Sequence, residues 1–146
     1  MPARRTGQCL CGAVSFTATV PETFHVCHCE MCRRWAGVAM AAVSVKAAEI
    51  EIEGAEHIRA FRSSEWASRC SCAECGSALW YRYDEGQDGA GDYEVALGLL
   101  DDVSGLELEK EIFFDEHAAG FELGGEHQRL TKAETLASFG ANVEGS

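Results

Sequence analysis

Three clusters of cysteine carry the chemistry this chain could do: Cys9-x-Cys11, Cys27-x-Cys29-x-x-Cys32 and Cys70-x-Cys72-x-x-Cys75. Sulfur at such spacing points to metal. Four thiolates from two claws distant in sequence close a tetrahedral structural zinc site, whereas three leave a position open for a substrate. Eight cysteines supply ligands for one site of each kind. Cys9-x-Cys11 runs into Gly12, and Cys72-x-x-Cys75 runs into Gly76, so both can turn as knuckles with amides facing the sulfurs. Together they are expected to bind a structural zinc whose binding free energy forms part of the folding free energy. A redox-active Cys-x-x-Cys pair is the rival reading of Cys72 and Cys75.

Cys27, Cys29 and Cys32 then remain as a compact three-thiolate set. A metal held there would bind an incoming thiol as its thiolate near neutral pH, where a free thiol is mostly protonated. Two other readings stay open: Cys70 joins the three and closes a second structural site, or the cluster is reduced and metal-free. Arg33 and Arg34 follow directly, an unusual basic pair in this chain; their planar forks suit the carboxylates of an anionic thiol such as glutathione, or those of nearby Asp and Glu. Trp35 is a candidate cleft wall or a core aromatic. His28, between two ligands, is expected to face away from their metal, with a proton shuttle as the alternative. His25, His57, His117 and His127 are isolated in sequence and read as surface or packing residues.

The elements that position these residues read as mainly β. At 146 residues the chain fits one domain, 1–146, with 140–146 a frayed tail. Val14, Phe16, Ala18 and Val20 alternate as in a half-buried strand. Val38 to Val45, His57 to Arg62, Ala78 to Tyr83, Tyr93 to Leu99 and Glu111 to Phe114 are further strands. Asp84 to Asp92, rich in glycine and acid, reads as a mobile hairpin loop. Helix is scant: a short turn over Glu30 to Ala36, and one opened by the capping box Thr131-Lys-Ala-Glu134 and running to about Ser138.

Twelve basic against twenty-four acidic residues give a net charge of −12, which disfavours nucleic acid and anionic lipid as partners. No apolar run reaches a membrane span, and no signal peptide is evident, so a cytoplasmic location is expected. In that reducing setting, clustered cysteines are metal ligands or catalytic groups more often than disulfides.

Taken together, Gly7-Gln-Cys-Leu-Cys-Gly-Ala-Val-Ser-Phe16, Cys27-His-Cys-Glu-Met-Cys-Arg-Arg34 with Gly37, Cys72-Ala-Glu-Cys-Gly76 and Ala96-Leu-Gly-Leu-Leu-Asp-Asp102 resemble the glutathione-dependent formaldehyde-activating enzyme family, also called centromere-protein-V-like. The resemblance runs over about residues 7–130. It implies a β-tent of folded antiparallel sheets stapled by zinc on Cys9, Cys11, Cys72 and Cys75. It also implies a catalytic, weakly held zinc on Cys27, Cys29 and Cys32. The implied activity is that of a carbon–sulfur lyase joining glutathione to formaldehyde or a related small aldehyde, as S-(hydroxymethyl)glutathione. Where family members often carry a Lys-Ala-Pro-Trp-like segment, this chain has His117-Ala-Ala-Gly120-Phe121, and Cys70 is additional to the seven-cysteine pattern. A non-catalytic glutathione carrier and a structural two-zinc interaction module are the alternatives.

Overall fold

The computed structural model describes residues 2–84 and 91–139. In chain order these hold β1 (Ala3–Gln8), β2 (Ser15–Val20), β3 (Thr23–Cys27), α1 (Glu30–Ala36), β4 (Met40–Val45), β5 (Ile50–Glu53), β6 (Ile58–Arg62), β7 (Ala67–Cys72), β8 (Ala78–Tyr83), β9 (Tyr93–Ala96), β10 (Glu107–Ile112), β11 (Gln128–Arg129) and α2 (Lys132–Phe139). The fold is mainly β. Its contacts fall into two compact units, one of residues 1–22 and 42–106, the other of residues 23–41 and 107–146.

In the first unit, β2 lies between β1 and β5, antiparallel to both. Its alternation is strict: Phe16, Ala18 and Val20 are buried, while Ser15, Thr17 and Thr19 are only partly covered. That period of two is what places one face in the core. The second run of strands, β4-β9-β8-β7-β6, is antiparallel throughout. β8 buries three successive side chains, Leu79, Trp80 and Tyr81, and the Phe16 ring meets Trp80 edge to face at 6.0 Å. Burying a side chain of this size is worth roughly 1.5–3 kcal/mol.

One glycine is decisive here. Gly54 sits at φ +83°, and a Cβ on it would overlap the Ala13 carbonyl oxygen, a backbone atom that cannot swing aside. Left-handed strain and overlap add, so Gly54→Ala is expected to lower stability by about 2–4 kcal/mol in urea denaturation.

In the second unit, β10 runs parallel to both β3 and β11, pairing Val26 with Glu111 and Cys27 with Ile112. α1 starts directly after Cys29, whose sulfur accepts the Cys32 N–H at 3.4 Å as the N-cap, and it ends at Gly37. The expected capping box opens α2: Glu134 N–H donates to Thr131 Oγ1 at 3.2 Å, and Thr131 N–H donates to Glu134 Oε1 at 2.9 Å. Thr135 is buried and takes the Phe113 N–H at 3.2 Å. Phe113 itself is a buried non-glycine residue at φ +54°. It ends β10 in a sharp turn.

Several expected boundaries move. The Val38 strand begins at Met40, and the Tyr93 strand ends at Ala96, passing into a 3₁₀ turn over Leu97–Leu99. The strand expected at Glu111 begins at Glu107 and stops at Ile112. Of the loop expected over Asp84 to Asp92, residues 85–90 lie outside the described residues, as does the 140–146 tail; β8 and β9, on either side of that loop, pair antiparallel. Among the described residues, no helix is long and apolar enough to cross a membrane.

Candidate metal centre

All eight cysteines are free thiols, so no disulfide competes with metal for them. The first unit brings together the sulfurs of Cys9, Cys11, Cys72 and Cys75, all within 4.8 Å of one another. Each claw is shaped by its own backbone. Cys9 N–H donates to the Val14 carbonyl at 3.0 Å, and Gly12 N–H returns to the Cys9 carbonyl at 3.2 Å. In the second claw, Cys72 N–H donates to the Ser77 carbonyl at 2.9 Å, and Gly76 N–H to the Cys72 carbonyl at 2.8 Å. Gly76 turns this claw at φ +80°, a conformation few other residues adopt without strain.

The sulfur spacing tests whether zinc fits. Zn–S bonds of about 2.3 Å in a tetrahedron place sulfurs about 3.8 Å apart. Cys9 Sγ lies 3.7 Å from Cys11 Sγ, and Cys11 Sγ lies 3.8 Å from Cys72 Sγ. The donors also show the charge tension that a cation would relieve. Hydrogen bonds from the Ser77 hydroxyl and backbone pull the Cys75 thiol down to about 5, whereas Cys11 is pushed up to about 12, its own backbone bond outweighed by burial and the neighbouring sulfurs. Four thiols this close cannot all ionise unless a positive charge sits among them.

The second unit brings together the sulfurs of Cys27, Cys29 and Cys32, again within 4.8 Å and all buried. Strand, linker and helix each supply one: Cys27 ends β3, Cys29 caps α1, and Cys32 lies in its first turn. The Cys27 thiol is held well above its ordinary value by hydrogen bonding with Cys29 and Cys32, by burial, and by their charge. The chemistry of this donor set fits a soft divalent ion as the first set does, with one ligand fewer. Cys70, on β7 opposite Ala60 and Trp80, belongs to neither set; burial raises its thiol, as for a structural cysteine.

Around the second set, the basic pair falls in the last turn of α1. Arg34 is 69% exposed and only loosely paired with Glu30 at 3.4 Å, an interaction of small energy at such exposure. Trp35 is half-buried. Nearby, an apolar cavity of about 330 Å³ opens between Phe24, Val26, Leu108, Phe121 and Leu123. Its lining is mainly apolar.

His127, expected as a surface or packing residue, and His28, expected to face away from the metal of its neighbours, instead meet in one buried polar network. His127, with 1% of its side chain exposed, lies 2.6 Å from Glu111 Oε2, while His28 Nε2 lies 2.7 Å from Glu111 Oε1. His117 packs against the His28 ring at 5.7 Å. Burial pulls the Glu111 carboxyl upward, but hydrogen bonds from His127 and His28 outweigh it and hold the group below its ordinary value of 4.5. A lowered folded value means the stabilisation is complete above about pH 4.5 and is lost as pH falls through the folded value. Accordingly, the stability of the native chain should fall more steeply than that of Glu111→Gln as pH falls below about 4.5. Paired urea titrations at half-unit intervals read that difference.

The glutathione-dependent formaldehyde-activating enzyme family model matches residues 4–116. An uncharacterised lyase of Schizosaccharomyces pombe is 25% identical over 134 residues, 91% of this chain and 95% of its own. A Halomonas elongata protein bearing the family's name is 34% identical over 83 residues, 51% of this chain and 53% of its own. The crystal structure of a Rhodobacter sphaeroides protein superposes with a TM-score of 0.56 at 20% identity, over 70% of this chain and 98% of that one, a likeness of fold. With the family model spanning most of the sequence and both cysteine sets assembled as its motifs imply, the chain belongs to the glutathione-dependent formaldehyde-activating enzyme family.

Proposed function

We propose that this protein is a zinc-dependent carbon–sulfur lyase that joins glutathione to formaldehyde or a related small aldehyde. The observation that carries the reading is the contrast between the two sulfur sets, four in one and three in the other. The set of four would hold a structural ion. A zinc ion on Cys27, Cys29 and Cys32 would supply a fourth position at which an incoming thiol binds as thiolate.

The chain's own residues do the rest. In the addition, a C–S bond forms between thiolate and carbonyl carbon, the carbonyl π pair moves to oxygen, and a proton from solvent completes the hydroxymethyl group. Holding the two reactants together is what lifts the rate above that in solution. Burial of Cys27, Cys29 and Cys32 keeps bulk water from the sulfurs. Arg33 and Arg34, at the end of α1, are our candidates to receive the glutathione carboxylates. The apolar lining of the 330 Å³ cavity disqualifies it for those charged ends. A reducing compartment such as the cytoplasm suits both the free thiols and the substrate.

Formaldehyde and glutathione also combine without help, so the test is exchange and not yield. Exchange spectroscopy by NMR on an equilibrium mixture should show faster interconversion of glutathione and its hydroxymethyl adduct with the zinc-loaded protein. Equal rates with and without protein would defeat the proposal. Saturable glutathione binding without acceleration would instead identify a thiol carrier.

A further inference from the structure

Between Cys27 and Cys29 stands a histidine that thiolate chemistry does not require, and its side chain is wholly buried. Its contacts are specific. His28 Nε2 is 2.7 Å from Glu111 Oε1. The other carboxylate oxygen, Oε2, is 2.6 Å from His127 Nε2 and 3.3 Å from Arg129 Nε. A carboxylate only accepts, so both imidazoles direct an Nε2–H at it, and Arg129 supplies the balancing charge. Two hydrogen bonds and one ion pair thus hold the buried acid in place.

His28 is clamped a second way. Its backbone N–H donates to the Ile112 carbonyl at 3.1 Å, immediately after the residue that holds its ring. The turn at Phe113, φ +54°, then folds the following residues back over the imidazole. Phe114, His117 and Phe121 meet it edge to face at 6.0, 5.7 and 6.1 Å. These walls hold the ring by shape alone, for His28 Nδ1 is buried without a hydrogen-bond partner. Glu111 is therefore the polar anchor of the ring.

Because Cys27 and Cys29 flank His28 in sequence, a rotation of its backbone displaces both sulfurs. We propose that Glu111 is a positioning residue for the three-thiolate centre, acting through His28 to keep the sulfurs of Cys27 and Cys29 in register for one ion. The inference rests on the reading that Cys27, Cys29 and Cys32 bind a metal. Outer partners that orient metal ligands typically change affinity by about 10–100-fold when removed.

The experiment is a chelator competition on the zinc-loaded protein, reading release of each ion separately, with the melting temperature recorded alongside. Glu111→Ala should weaken the looser zinc about 10–100-fold and leave the tighter zinc unchanged. Glu111→Gln should recover most of the loss, since its amide oxygen still accepts from His28 Nε2–H. If the alanine variant does not fold, Glu111→Asp carries the test: it keeps the charge but withdraws it by one methylene, and should weaken the looser ion by at least about 5-fold. Unchanged affinity of the looser zinc in the folded variants would overturn the inference. So would a parallel loosening of both ions with a lowered melting temperature, the mark of a merely structural acid. A native chain holding one zinc only would overturn the underlying metal reading, and the inference with it.

Discussion

Replacing Cys72 with serine should cost the chain its cooperative folded state. The four-sulfur set joins positions 61 apart in sequence, so an ion held there would close a long loop and bridge two claws of the first unit. Structural zinc contributes on the order of 10–16 kcal/mol of apparent binding free energy, while a whole domain is stable by only about 5–15 kcal/mol. Serine is close in volume, and Cys72 is buried, so the substitution removes a ligand and little packing. The expected result is loss of one zinc per chain and loss of the thermal transition, read by elemental analysis and calorimetry. A variant that keeps its zinc and melts as the native chain does would show that the set is not a structural centre.

Cys29→Ser should do the opposite: leave the fold and remove the activity. Cys29 caps α1 by accepting the Cys32 N–H, and serine is among the better residues for that task. Its hydroxyl stays protonated near neutral pH, so the second set loses a thiolate. The thermal transition should therefore persist, lowered by no more than the looser ion contributes through its binding. The looser zinc should be lost, and catalysed adduct exchange should fall at least about 100-fold. Undiminished exchange in this variant would place the chemistry elsewhere.

What could be read from the sequence was local. Both sulfur sets follow from ligand spacing, and α1 covers the short turn expected over Glu30 to Ala36. The Thr131–Glu134 box lies within one turn, so it too was visible. β8 matches its expected span residue for residue. Other strands left weaker traces. β1, Ala-Arg-Arg-Thr-Gly-Gln, has no large apolar residue to alternate, and β7 breaks its pattern with buried Arg69 and two cysteines. β5 does alternate, Ile50 and Ile52 against Glu51 and Glu53, but four residues give little signal.

The network at Glu111 was hidden for a deeper reason. His28 and Glu111 are 83 positions apart, and they meet because β10 lies parallel to β3, with Glu111 opposite Val26. No periodicity announces a parallel register between distant strands, each of which reads as an ordinary short segment. Glu111 opens the strand expected over Glu111 to Phe114, and nothing local marks it for the core, yet it is fully buried. Burial of a carboxylate is costly without partners, so its partners define its meaning. Those partners, His28, His127 and Arg129, become neighbours only after folding.

The central claim is that one sulfur set is closed while the other can accept a thiol. Native mass spectrometry of the zinc-supplied protein, before and after adding glutathione, tests it most directly. The account predicts two zinc ions and a glutathione adduct in the native chain, with Cys29→Ser retaining one zinc and no adduct. Two tightly held ions that bind no glutathione and leave only together on unfolding would contradict it, and would make the protein a closed structural module.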